Sequence, residues 1–274
     1  MNNLDLREVN LSKFPTIKLL NNMPVHSSLY ETALITINDF FVYKFLENRI
    51  SFSELLKLIS KISSSNEFIK YKVIDHIAWI TMKRNPSNAF NIEFLDEILN
   101  TLKIASKDKE VRVIIIESDI NKIFSAGLDL NLLINKSGLE IREFLKRLYI
   151  DLWDIQYNMG KPTIASINGA ARGGGMTLAI SCDIIIASEK ASFGYPEINL
   201  GLLPAIHYTH LPRIIGRYKA FDLLFTGRTF YSDEALMLGL ISRKVLSSEI
   251  REKANEIAVN LSKKSPISMN LGRA

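Results

Sequence analysis

The chain has 274 residues, a length that fits one large domain or a domain plus an appendage, and its 47% hydrophobic and 23% charged residues are the balance of an ordinary soluble protein. Its net charge of +5 is scattered, with no basic run or stripe of interleaved aromatics, which argues against nucleic acid and equally suits a phosphate-bearing small molecule. A single cysteine, Cys182, permits no internal disulfide, and no apolar run nears the roughly 20 residues of a membrane helix, so the expectation is cytoplasmic, with no membrane partner.

Residues 1–66 contain no glycine and carry helical periodicity in "ETALITINDFFVYKFLENRI" and "SFSELLKLISKIS". In the second stretch Ser51 or Ser53 is placed to cap the start, and Leu55, Leu56, Ile59 and Ile62 fall on one face. "SSSNE" is a polar break, so the expectation is an all-α unit over 1–66 followed by a second unit over 67–274. From residue 71 strands and helices alternate. "YKVIDHIAWITM" reads as a hairpin pivoting near Asp75 and His76. "NIEFLDEILNTLKIAS" reads as an amphipathic helix with Ile92, Leu95, Leu99 and Leu102 on one face, and "VRVIIIES", "PTIASI" and "DIIIAS" as buried strands. "LLPAIHYTHLPRIIG" reads as a loop, and Ser232 as the cap of a short helix that Gly239 ends. The alternation implies an α/β layered fold around a largely parallel sheet.

The chemistry centres on Gly173, Gly174 and Gly175, between the strand "PTIASINGA" and the apolar helix "MTLAISC". Backbone N–H groups at a helix start lack intrahelical partners, and glycines let a ligand approach them. No Lys-Ser/Thr follows and the spacing is not G-x-G-x-x-G, so a carbonyl oxygen becoming an oxyanion fits better than a phosphate. Tight strand–helix packing explains a glycine triplet about as readily. A second small-residue bend, Ala126-Gly127 in "KIFSAGLDLNLL", comes after "VRVIIIES" and can aim another N–H at the same point.

"FSAGLDL", "INGAARGGGMTLAISCDIIIAS", "ASFGYPEINLGLLP" and "LLFTGRTFYSDEALMLGLISRKV" resemble, in order and spacing, the enoyl-CoA hydratase/isomerase (crotonase) family over residues 68–270. The resemblance implies a core of stacked ββα turns, and an acyl-CoA thioester substrate that brings its own coenzyme A, with no further cofactor. It implies a homo-oligomer, trimer or hexamer, and a role in fatty acid metabolism. It makes Leu128 and Gly174 the oxyanion donors, with Ala126, Gly127 and Gly173 beside them and Ala89 against the CoA moiety. Hydratases of the family use two glutamates; one falls at Glu197, and the other position holds Thr177. Thr177 is no general base, so Glu197 is expected to move the proton alone, as in family members that isomerise a double bond. His207 is a candidate acid–base partner by its titration range. Asp129 and Asp183 read as loop-fixing residues, Cys182 as a small buried hydrophobe, and no residue cluster has metal-ligand spacing.

Residues 1–66 resemble instead the carboxy-terminal helical domain of deoxyxylulose-phosphate reductoisomerase, through "LSKFPTIKLL" and "ITINDFFVYKFLENRISFSELLKLIS". They read as a packing or docking module. "SPISMNLGRA" stands where family members continue into further helices, so the second unit is expected to lack most of them. The readings that remain open are an enoyl-CoA isomerase or hydratase, a thioester hydrolase or decarboxylase, and a non-catalytic acyl-CoA-binding or scaffolding protein.

Overall fold

The computed structural model describes residues 39, 42–51, 54, 68–133 and 136–273. Packing divides the chain into Met1–Asn66 and Glu67–Ala274. In the first unit the Ser51 hydroxyl accepts from the Glu54 N–H at 3.2 Å while the Glu54 carboxylate accepts from the Ser51 N–H at 2.8 Å, a reciprocal helix cap. Leu55, Leu56, Ile59 and Ile62 lie outside the described residues, as does most of the expected all-α unit.

The second unit begins with the hairpin β1 (Ile69–Ile74) and β2 (Ile77–Met82), antiparallel and joined through Asp75 and His76 at φ 48° and 66°. Two consecutive left-handed residues match the twist of the flanking strands. Helix α1 (Ile92–Lys107) starts at Asn91, whose side chain accepts from the Phe94 N–H, and buries Leu95, Leu99 and Leu102 on its apolar face. Strands β3 (Val113–Ser118), β5 (Thr163–Ile167), β7 (Ile184–Ser188) and β10 (Arg243–Val245) extend the hairpin into a six-stranded sheet, parallel from β2 onward. In β3, β5 and β7 the isoleucines are covered on both faces, as a parallel sheet requires, while β10 is the more exposed edge.

A second sheet has four strands. Three of them, β4 (Ile123–Ser125), β6 (Ala170–Arg172) and β8 (Ser192–Gly194), come directly after β3, β5 and β7 and pair parallel, with β9 (Phe230–Tyr231) closing the edge. Each turn of chain therefore leaves one strand in each sheet before a helix returns it, and these are the stacked ββα turns. The returning helices after β4 are α2 (Gly138–Lys146), a π-helical turn (Arg147–Asp151) and α3 (Leu152–Asn158); after β6 it is α4 (Gly174–Ile180), buried along its whole length. Asp183 ties β5 to β7 by accepting from the Thr163 N–H at 2.7 Å and hydroxyl at 2.9 Å. Cys182 is buried, and burial pushes its thiol up to about 12.

Two local expectations are corrected. "AIHYTHLPRII" is a helix, α5 (Ala205–Ile215), not a loop, because His207, Leu211 and Ile215 recur every four residues on one buried face. Two prolines hide that period: Pro204 stands before the first turn and Pro212 sits within the helix. Helix α6 (Arg217–Thr226) packs against it. Ser232 does not cap helix α7 (Ser232–Met237); it is the first helical residue, and its hydroxyl donates to the Ser188 carbonyl at 2.5 Å, pinning the helix to the sheet.

Candidate active site

The ends of β4 and β6 meet at the glycines. Gly127, at φ 90°, turns the chain after β4, and a Cβ there would lie 2.7 Å from the Arg172 carbonyl oxygen and 3.2 Å from the Gly174 nitrogen. Only a residue without a side chain lets the two bends touch. The Ala126 N–H donates to the Ser87 carbonyl, Gly127 donates to the Ser125 hydroxyl, and the Gly127 carbonyl and Asp129 N–H both bond Phe90. Between them the Leu128 N–H has no partner among the described residues, and neither has the N–H of Gly174, the first residue of α4. These are the two N–H groups that the family resemblance pairs.

Each glycine of the triplet answers to a different neighbour. A Cβ on Gly175 would stand 2.7 Å from Cβ of Ser125 and 2.8 Å from its carbonyl oxygen, so Gly175 serves the packing of α4 on β4. Gly173, at φ 46°, would drive a Cβ to 2.4 Å from Oε1 of Glu197. Gly174 faces Phe90 and Leu148, and of the three it alone lines the cavity that opens here.

That cavity, about 180 Å³, is walled by Leu128, Phe144, Leu145, Leu148, Leu202 and Leu203, with Glu197 and Tyr149 as inner polar groups. Lys136 and Glu140, paired at 2.9 Å, also line it. Glu197 stands on the short 3₁₀ turn Pro196–Leu200, which Gly201 ends in the left-handed conformation. Its Oε2 is buried and unpartnered among the described residues, and burial raises its pKa, with a bond to its own backbone pulling the other way. One cavity is thus bordered by a desolvated carboxylate and by two residues whose N–H groups have no partner among the described residues.

The remaining predicted residues stand around this core. Ala89 and Ala126 are not in the wall; the Ala89 carbonyl accepts from Arg84 at 2.7 Å. Asp129 fixes the loop as expected: burial raises it, but Arg84 at 2.9 Å and Asn131 hold its carboxyl below the usual range. Thr177 and His207, expected to meet substrate or its protons, are instead fully buried behind the wall, with the Thr177 hydroxyl 3.1 Å from Nε2 of His207. Burial, then His210, push the His207 imidazole down to about 3, so it is neutral throughout the physiological range.

Sequence reading missed three contributors. Tyr149 enters the cavity from the π-helical turn, where the extra residue shifts the face that a 3.6-residue period picks out. Burial, then the Glu197 charge, push its hydroxyl up to about 12. Asn88, at φ 49° and fully buried, donates to Ser118 and to the Phe124 carbonyl, and Ser125 donates back to the Asn88 carbonyl at 2.7 Å, holding the bend that presents Leu128. Arg84 bridges the same two loops through Ala89 and Asp129. The turn-rich run "NPSN" was the available signal for Asn88.

The geometry agrees with what the chain is similar to. A family model described as the DXP reductoisomerase C-terminal domain matches residues 1–85. A probable enoyl-CoA hydratase of Bacillus subtilis is 38% identical over 200 residues, covering 72% of this chain and 77% of that protein. A crotonyl-CoA hydratase of Syntrophomonas wolfei is 36% identical over 188 residues, 68% of this chain and 72% of that one. The crystal structure of an enoyl-CoA hydratase from Bacillus anthracis superposes with a TM-score of 0.71 at 31% identity, covering 75% of this chain and 81% of its own. With the family model for enoyl-CoA hydratase/isomerase matching residues 73–272, the chain belongs to the enoyl-CoA hydratase/isomerase family.

Proposed function

We propose that the protein isomerises the double bond of an enoyl-CoA thioester, with Leu128 and Gly174 as the oxyanion donors and Glu197 as the single proton carrier. The observation that carries this reading is the convergence on a single apolar cavity of one buried carboxylate and two N–H groups that have no partner among the described residues. Glu197 takes a proton from carbon 2 of a 3-enoyl thioester, and the electron pair moves onto the thioester oxygen between the two donors. The same carboxyl returns the proton to carbon 4, leaving the conjugated 2-enoyl thioester. The apolar wall keeps water from the carboxylate and strengthens both interactions. Hydration is the second reading, favoured by the names of the relatives. Turnover of a panel of 2-enoyl- and 3-enoyl-CoA thioesters tests the proposal. The expected result is conversion of 3-enoyl to 2-enoyl thioester; turnover of neither class contradicts it.

A further inference from the structure

The Gly173–Gly174 peptide carries the proposed donor on one side and, on the other, a carbonyl bonded into the first turn of α4. Its carbonyl, that of Gly173, accepts the Thr177 N–H at 3.0 Å and lies 3.4 Å from the Thr177 hydroxyl, which donates to it. That hydroxyl is 3.1 Å from Nε2 of His207. A single assignment satisfies these contacts: Nε2 carries the hydrogen, Thr177 accepts it and passes its own to the Gly173 carbonyl. The imidazole is fully buried, its ring tilted against Tyr195 with centroids 4.5 Å apart, and its Nδ1 has no partner among the described residues. A buried polar ring with one nitrogen unsatisfied carries a desolvation cost that its packing against Tyr195 does not explain.

We propose that Thr177 and His207 are positioning residues for the oxyanion hole, clamping and polarising the Gly173 carbonyl so that the Gly174 N–H on the same peptide is held towards the substrate oxygen. A trans peptide is planar with its C=O and N–H opposed, so fixing the carbonyl away from the cavity fixes the N–H towards it. Donors on the carbonyl also draw charge through the amide and make its N–H a stronger donor. The neutral pair thus works through the backbone, whereas a carboxylate at position 177 would work by taking protons.

This inference rests on the proposed oxyanion hole, and its test separates the two. Bind butyryl-CoA labelled with carbon-13 at the thioester carbonyl, which the enzyme cannot turn over, and record the carbonyl stretch by infrared difference spectroscopy. The wild-type protein is expected to lower the stretch, and Thr177→Val and His207→Phe to recover part of the free value. Thr177→Ser, which keeps the hydroxyl, should restore the wild-type position. In turnover the first two variants should lose about tenfold in kcat with KM little changed and the pH profile unaltered in shape, a weaker effect than deleting a donor outright. A wild-type shift left intact in Thr177→Val and His207→Phe overturns the positioning role alone, as does loss of a pH limb in His207→Phe. No shift in the wild-type complex sinks the oxyanion hole itself. If His207→Phe does not fold, Thr177→Val, close to isosteric, carries the test by itself.

Discussion

The Thr177 hydroxyl sits 3.1 Å from Nε2 of His207, and both side chains are fully buried behind the wall that Gly174 and Glu197 present to the cavity. A neutral pair therefore occupies the position where the sequence resemblance places a second glutamate in hydratases. Glu197 is left as the carboxylate of the inner cavity, and its surroundings set the consequences that can be measured.

The glycine triplet should separate activity from stability. Gly175→Ala places a methyl 2.7 Å from the Ser125 side chain and 2.8 Å from its carbonyl, so overpacking should cost roughly 1–3 kcal/mol, read as a lowered melting temperature. Gly173→Ala puts its methyl 2.4 Å from Oε1 of Glu197 at a residue with φ 46°. Besides its backbone strain, it should displace the carboxylate and depress kcat well beyond the change seen in Gly175→Ala. Equal losses of activity in the two variants would remove the distinction.

Gly174→Pro deletes the proposed donor where proline is otherwise tolerated, at the first position of a helix. Turnover should fall by a factor corresponding to about 3 kcal/mol in the barrier. A folded variant with the wild-type rate removes Gly174 from the oxyanion hole.

Glu197→Gln should be slower yet more stable at neutral pH. The folded pKa of Glu197 lies above its ordinary value of 4.5, so the folded protein holds that proton more tightly than the unfolded chain does. The stability this supplies is fully present below 4.5 and is lost as pH rises through the raised value. Glutamine has nothing to lose, so its advantage over the wild type should grow from pH 4.5 upward and then level off. Activity should take the opposite course in the wild type, falling as pH drops through the raised pKa, because the base must be ionised. Denaturant titrations and initial rates across this range check both; a stability difference independent of pH would contradict the burial of a charged carboxylate.

The layered fold was legible because its signals are local and strong: isoleucine runs that only a parallel sheet can bury, and a helix whose apolar stripe and Asn91 cap agree. Leu128, Gly174 and Glu197 were nameable from the sequence through the family resemblance of the motifs that carry them, and the structure brings all three to the wall of one cavity. What escaped depends on three-dimensional packing. Tyr149 reaches the cavity through a π-helical turn that no 3.6-residue period marks, and α5 is hidden by its prolines until His207, Leu211 and Ile215 are counted as one face. The pairing of Thr177 with His207, 30 residues away, was also hidden: the sequence offered His207 as an acid–base candidate on a loop and not as a neighbour of Thr177.

The central claim, one carboxylate moving one proton beside an oxyanion hole, is tested most directly by isotope tracing. Wild-type protein is given a 3-enoyl-CoA thioester in deuterated, oxygen-18-labelled water, with Glu197→Gln run in parallel, and the products are weighed by mass spectrometry. The account predicts a 2-enoyl thioester that gains deuterium at most and no oxygen-18, with turnover in Glu197→Gln reduced roughly 100-fold or more. Oxygen-18 at carbon 3, or isomerisation that survives unchanged in Glu197→Gln, would contradict it.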